Sequence, residues 1–411
     1  MLTLSQIRQQ LPAVQRMAYL NTGSNGPLPQ RAAAAMTAAA AAELAEGRIS
    51  MAHWMASAEL KRSLREDFAA LMHAPASSVA LAHNTTEGVN LALWGLNWQA
   101  GDEVITTTLE HPGVTVPLAL VRQRFGVTVR FADVGLGDAD RVLDALSRAF
   151  TSRTRLVALS HVSYSSGALF PLAEIVELAH RHGAWVLVDA AQSLGAIPVD
   201  VTVLGVDFYA CSGQKWLCGP EGAGALYVHP DRLDDLLPTF GGYTTVLAQD
   251  HRGWIVPQPG AARYESITFY PPTIVGMAAA LNWLREEIGF DFIFRSIAAN
   301  AQTLRDALAR LPGVTLLTPP GQQAGLVNFD LEGWSPQALA GLSDAVGQAG
   351  YGIRTIPHPP FGMRAATGFF NTTDELLGLA AEIEAWLIKG PAAVAVPPFA
   401  AGLPAQYVKP A

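Results

Sequence analysis

Short apolar runs recur at residues 79–82, 104–108, 127–131, 156–160, 185–189, 208–211 and 224–228, with helical stretches at 114–125, 139–149 and 172–182 set among them. Several of the runs are apolar at consecutive positions, as strands buried on both faces must be. Strands alternating with helices in this way predict a parallel α/β sheet and exclude an all-helical or all-β architecture. An Ala-rich helix over 32–44, stopped near Gly47, and a second helix over 57–72 are expected ahead of it. From about Pro271 the rhythm changes: two long helices near 273–288 and 292–311 lead into an α+β segment, and the Ala/Pro-rich residues 390–411 read as a tail on the surface.

Composition narrows the function classes. With 411 residues the chain exceeds one ordinary core, and 50% apolar against 15% charged residues makes a large buried interior easy to build. A net charge of −8 without a basic stripe argues against nucleic acid as a partner. No secretory segment is read in residues 1–14 and no apolar run is long enough to span a bilayer. Two cysteines, Cys211 and Cys218, do not make a disulfide framework, so a cytoplasmic location is expected.

The most informative stretch is Ala184-Trp-Val-Leu-Val-Asp189-Ala-Ala-Gln192-Ser, a buried strand ending in an acid. Ser212-Gly213-Gln214-Lys215-Trp216 follows the next strand, 26 residues after Asp189. Ligands of open parallel sheets sit at the carboxyl ends of strands, so both segments deliver polar groups to one edge. A lysine between an apolar strand and Gly219-Pro-Glu-Gly-Ala-Gly is poorly placed to solubilise the protein. It is well placed as a Schiff-base lysine, whose amine must lose its proton and be held rigidly. A carboxylate such as Asp189 would keep a facing pyridine nitrogen protonated and make that ring an electron sink.

Four further features suit the same chemistry. Thr85 and Thr86, in His83-Asn84-Thr85-Thr86-Glu87-Gly88, open a helix after a strand and form a phosphate cradle by capping and dipole logic. Ser212 adds a hydroxyl beside the lysine. His111, held by Pro112 at a strand end, would lie flat on an aromatic cofactor. Arg354 and Arg364 are the bidentate carboxylate readers an amino-acid substrate would want. Gly219-Pro-Glu-Gly-Ala-Gly does not fit the dinucleotide-binding glycine spacing.

Taken in order, Thr-Thr-Glu-Gly-Val-Asn, Glu-His-Pro, Ser-His-Val, Val-Asp-Ala-Ala-Gln-Ser and Ser-Gly-Gln-Lys-Trp make the chain resemble the class V aminotransferases of fold type I. The likeness runs from Tyr19-Leu-Asn-Thr-Gly-Ser-Asn-Gly-Pro to Phe369-Phe-Asn-Thr-Thr-Asp-Glu. It implies a pyridoxal 5′-phosphate enzyme with a mostly parallel seven-stranded sheet in a large domain (17–270) and a smaller α+β domain (1–16 and 271–389). Lys215 would carry the cofactor, Asp189 face its ring nitrogen, Gln192 its phenolate, and His111 its face. Thr85, Thr86, Ser212 and Gln214 would bind phosphate, and Thr268 would reach the phosphate of a neighbouring subunit, implying a homodimer. Arg354 and Arg364, with Asn25 of the opening motif, would contact the substrate, and no metal is implied.

Within the family the chain is most similar to the C–S lyases acting on cysteine and cystine, through Leu93-Trp-Gly-Leu-Asn-Trp, Gly101-Asp-Glu-Val, Glu110-His-Pro-Gly, Ala324-Gly-Leu-Val and Ile353-Arg-Thr-Ile. It also resembles cysteine desulfurases and isopenicillin N epimerases. The loop Pro357-His-Pro-Pro-Phe-Gly departs from the lyases and one extra residue separates the arginines. Desulfurases carry a sulfur-accepting cysteine between these arginines, and none stands here. The family's histidine before the lysine is Gln214, and Tyr164 stands where desulfurases carry asparagine. The resemblance implies β-elimination on a sulfur amino acid; transamination, epimerisation and a desulfurase-like reaction stay open.

Overall fold

The structure, a computed structural model, describes residues 2–265 and 268–397. Seven strands form one mixed sheet in the order Val79–Ala82, Gly224–Val228, Phe208–Ser212, Trp185–Asp189, Thr154–Ser160, Glu103–Thr107 and Thr128–Ala132. Only Gly224–Val228 runs against its neighbours, pairing antiparallel on both sides. The consecutive apolar pattern has a direct cause: alternate residues serve different cores. Val157, Leu159, Val186, Val188, Tyr209 and Cys211 enter the larger core. Leu156, Ala158, Leu187, Phe208 and Ala210 enter a second core on the opposite face.

Local chemistry moves a few boundaries. The strands expected at 104–108 and 127–131 are Glu103–Thr107 and Thr128–Ala132. Glu103 pairs with Thr128 and Thr154, and its carboxylate, hidden from solvent, accepts from Arg153 at 2.7 Å and from the Thr151 hydroxyl at 2.8 Å. The second helix starts early, at Met51, where the Ser50 hydroxyl caps the His53 N–H, and ends as expected at Met72. The helix expected over 273–288 is α-helical only over Pro271–Asn282 and continues as a π-helical turn, Trp283–Ile288. The following helix is Phe290–Leu308.

Beyond it lies a four-stranded antiparallel sheet in the order Val314–Leu316, Leu326–Leu331, Gly362–Ala366 and Arg354–Ile356. Residues 18–20, expected from sequence to belong to the large domain, hydrogen-bond to residues 351–366 of this part of the chain. Ala18–Tyr19 pairs in parallel with Tyr351–Gly352, and Leu20 accepts from the Ala366 N–H at 2.7 Å. Of the tail expected at 390–411, residues 390–397 are described: Val394 packs on the core that takes in Val327, Phe329, Met363 and Ala365, and 398–411 lie outside the described residues. Among the described residues no helix is long and apolar enough to cross a membrane, and no cluster of His, Cys, Asp or Glu is arranged to hold a metal ion.

Candidate active site

Asp189 ends a central strand, 6% exposed, with its Oδ1 accepting from the Ala191 N–H at 2.9 Å. Burial raises its pKa, and the Lys215 charge opposes that rise. Lys215 follows the neighbouring strand in a turn tied by Gly219 N–H to Gly213 O at 2.9 Å and Cys218 N–H to Lys215 O at 3.0 Å. The lysine falls from 10.5 to about 8: burial lowers it most, Asp189 works against the fall, and Arg364 and Arg354 add to it. A cation poised near neutrality beside a buried acid is what imine chemistry requires.

The anion end of the site is built from two strands and one helix. Sequence reasoning expects threonine to cap the helix Thr85–Gly95, but Asn84 is the cap, its Oδ1 accepting from Glu87 N–H at 2.9 Å. That frees Thr85, whose Oγ1 lies 2.6 Å from Ser212 Oγ, both side chains buried. Two hydroxyls thus meet at a helix N-terminus, and Gln214, two residues beyond Ser212, has a buried Oε1 with no hydrogen-bond partner. Amide oxygen and nitrogen exchange places by a flip, and with the nitrogen in that buried position the Gln214 amide would offer a donor to an acceptor. Hydroxyls, helix amides and a free amide together fit a phosphate.

His111 caps the helix Pro112–Phe125, its Nδ1 accepting from Gly113 N–H at 2.9 Å, which leaves the proton on Nε2. Its ring presents open surface, yet burial of its inner side and the cations Lys215, Arg364 and Arg354 hold it at about 4. A neutral ring with an accessible face suits stacking. Gly113 allows this approach: a Cβ there would lie 2.7 Å from Thr86 Oγ1 and 3.1 Å from His111 Nδ1. Tyr164, buried, stands edge-on to His111 with centroids 4.9 Å apart.

Arg354 and Arg364 face each other directly across an antiparallel pair, so both side chains leave the same face. Arg364 is 2% exposed, and its buried Nε lacks a partner. No carboxylate lies within ion-pair distance of either guanidinium among the described residues. Burial and mutual repulsion lower Arg364 to about 9. A buried guanidinium, Arg364, with a free donor, beside the half-buried and equally unneutralised Arg354, forms an unfilled anion site.

Three features were not assigned from sequence. Glu110, 7% exposed, accepts from Thr107 Oγ1 at 2.7 Å and Ser160 Oγ at 2.6 Å, joining the ends of two strands beneath His111. Burial lifts it to about 7. The opening segment wraps the site: Gly26 N–H donates to Gln214 O at 2.7 Å, and a Cβ at Gly26 would lie 2.2 Å from Lys215 O. Ser24 accepts from Arg354 Nη1 at 3.2 Å and Arg364 Nη2 at 3.0 Å. Two glycines and a serine in seven residues were the available signal.

The remaining candidates divide. Gln192 is buried near Asp189, but its Nε2 donates to Gly23 O at 2.9 Å and its Oε1 accepts from Trp216 Nε1 at 3.1 Å, leaving one amide hydrogen uncommitted. Asn25 is not brought to the arginines: it is exposed, and its Nδ2 donates to Glu221 Oε1 at 3.2 Å. Thr268 is exposed, its carbonyl accepting from His83, and lines a cavity with Trp54, Tyr243 and Tyr270. Cys211 and Cys218 are free, fully buried and raised to about 12 by burial.

A family model for class-V aminotransferases matches residues 18–355. A cysteine desulfurase of Synechococcus elongatus is 35% identical over 75% of this chain, which spans only 50% of that relative. A probable cysteine desulfurase of Methanothermobacter thermautotrophicus is 29% identical over 92% of this chain and 96% of its own length. The cystine C–S lyase C-DES, solved with its product cysteine persulfide, is 32% identical over 92% of this chain and all 100% of its own, with a TM-score of 0.86. The cysteine desulfurase of Thermococcus onnurineus, solved in its apo form, is 25% identical over 95% of this chain and 99% of its own, with a TM-score of 0.83. With the lysine, acid and anion cradles in place on the matching sheet, the chain belongs to the class-V aminotransferase family.

Proposed function

We propose that this chain is a pyridoxal 5′-phosphate lyase that eliminates the β-sulfur of a cystine- or cysteine-like amino acid, giving pyruvate, ammonia and a thiol or persulfide. The observation that carries elimination over sulfur transfer to the protein is the placement of the thiols. Both are fully buried and held protonated by burial, and neither lies between Arg354 and Arg364. A thiol must be accessible and ionised to accept sulfur. The sulfur then departs with a small molecule, as cysteine persulfide does in the C-DES complex.

The residues fit the cofactor. Lys215 would hold it, Asp189 would face its ring nitrogen, Gln192 its phenolate and His111 its face, and Thr85, Thr86, Ser212 and Gln214 would hold its phosphate. When bound, the cofactor supplies a protonated ring that accepts the electron pair released at the substrate α-carbon. Asp189 keeps that ring protonated; its burial strengthens the interaction. Lys215 Nζ, near 8 and so partly neutral at physiological pH, removes the α-proton. Arg354 and Arg364 hold the substrate carboxylate and fix which α-bond breaks. His111, neutral at about 4, covers the ring without repelling its positive nitrogen. A disulfide sulfur leaves more readily than a thiol because its anion is better stabilised, which favours cystine-like substrates.

The dimer is part of the same proposal. Ile49, Met51, Trp54, Met55, Tyr243 and Tyr270 are large exposed apolar residues, and Thr268 shares a cavity with four of them. An exposed apolar patch of this kind marks an interaction surface. Thr268 would extend from it to the partner's phosphate. Two free thiols fit the reducing cytoplasm.

The test is an absorbance scan of purified protein with and without L-cystine, coupled to a pyruvate assay. A visible cofactor band abolished by Lys215→Ala, with pyruvate formed from cystine, is expected. A band without pyruvate from cystine, cysteine or related thioethers would remove the lyase reading and leave fold and cofactor standing.

A further inference from the structure

Two guanidiniums leaving the same sheet face repel each other, and left alone they would splay apart. Here they do not. One neutral oxygen lies between them: Ser24 Oγ accepts from Arg354 Nη1 at 3.2 Å and from Arg364 Nη2 at 3.0 Å. Its own proton goes to Asn21 Oδ1 at 2.8 Å, so a proton and two lone pairs are all committed and the oxygen has no rotational freedom left.

We propose that Ser24 is a positioning residue of the substrate-carboxylate site, its hydroxyl oxygen holding Arg354 and Arg364 convergent so that one carboxylate receives both. This rests on the amino-acid reading above and adds to it the device that makes two arginines a single-anion site.

The oxygen is itself held from the strand that carries Arg364. Ser24 N–H donates to Asn21 O at 2.9 Å, closing a turn, and Asn21 forms a β-bridge with Ala366, two residues beyond Arg364. Ser24 and Arg364 therefore share one rigid frame. The neighbouring Gly23 extends that frame to the cofactor side, because its carbonyl takes the Gln192 amide at 2.9 Å. A Cβ at Gly23 would lie 2.9 Å from Gln192 Oε1, so the close approach needs glycine. The turn 21–24 thus sets the distance between the residue expected at the ring edge and the pair expected at the carboxylate.

The bridging leaves a donor open. Arg364 Nε remains buried and unpartnered while Nη2 is committed to Ser24. A bidentate carboxylate approaches a guanidinium along such an edge, and it would meet a pair already converged instead of two independent cations. A dicarboxylate bridging separated arginines is disfavoured by the same geometry.

The holoenzyme tests this with ligands that bind without sulfur elimination. Glycine and glycinamide differ at the carboxylate alone; their affinities are read by calorimetry and by the absorbance of the bound cofactor. A hydrogen bond to a charged group, lost from a preorganised site, corresponds to roughly a 10-fold change. Ser24→Ala is expected to weaken glycine about 10-fold and leave glycinamide unchanged, so discrimination falls about 10-fold. Ser24→Thr, which keeps the hydroxyl, restores it. Ser24→Gly serves as a second hydroxyl-free variant should Ser24→Ala fold poorly. Wild-type discrimination retained in both hydroxyl-free variants overturns the role of Ser24, as does equal loss of both ligands. A wild-type enzyme that does not distinguish glycine from glycinamide overturns the carboxylate reading of the arginines, and this inference with it.

Discussion

Replacing Lys215 with methionine should make the cofactor-free protein more stable. The amine ionises at 10.5 in an unfolded chain and at about 8 in the fold, chiefly because burial strips its water; Asp189 opposes the drop and the two arginines add to it. At about 1.4 kcal/mol for each pH unit of that difference, keeping the amine charged at neutral pH costs roughly 3 kcal/mol. The sign follows from proton counting. Between about 8 and 10.5 the unfolded chain holds the proton and the folded chain does not, so folded stability rises with pH across that window. Below it both states are protonated and the full cost remains. Lys215→Met removes the charge at similar volume, but Asp189 loses its attracting neighbour and takes up a proton more readily. A net gain of about 1–3 kcal/mol at pH 7 remains. Urea unfolding of cofactor-stripped wild type and variant, followed by circular dichroism at one protein concentration, measures it. The gain should shrink as pH is raised through the lysine's window. A variant no more stable at pH 7, or a gain identical at both ends of that window, refutes the reasoning.

Glu265, 4% exposed, accepts from Arg65 Nε at 3.0 Å, Arg65 Nη2 at 2.8 Å and Leu81 N–H at 3.0 Å. Glu265→Ala strands a guanidinium and a buried N–H and should cost about 3–5 kcal/mol by urea unfolding; a loss under about 1 kcal/mol would mean the pair is not desolvated in solution. Cys218→Ala removes a thiol that is neither accessible nor ionised, so pyruvate formation from cystine should stay within about 2-fold of wild type. A fall beyond about 10-fold would bring sulfur transfer to the protein back into contention.

The motif residues around Lys215 and Asp189 were readable because each follows a strand whose both-face burial shows as consecutive apolar residues. The strands Trp185–Asp189 and Gly224–Val228 have the limits expected of them. Strand ends with charged partners were less legible: Glu103 pairs with Thr128 and Thr154, and its buried carboxylate is satisfied there by Arg153 and Thr151, some fifty residues away. Thr85 shows the same gap at the site. Local preference makes threonine a cap, but with Asn84 capping, Thr85 turns to Ser212, 127 residues on.

Sequence alone determined what is local or periodic: the alternation of strand and helix, the lysine and acid at adjacent strand ends, the family likeness and the absence of a cysteine between the arginines. Periodicity is written along the chain, and a residue's position at a strand end decides which edge of the sheet it reaches. The tertiary structure alone decided which distant groups converge. Pairing register set Arg354 opposite Arg364. The opening turn then placed Ser24, and not Asn25, between them. Burial, a property of the whole packed fold and of no single residue type, set the charge states: Lys215 poised near 8, His111 neutral, both thiols silent. Convergence and desolvation depend on neighbours that a linear sequence does not name.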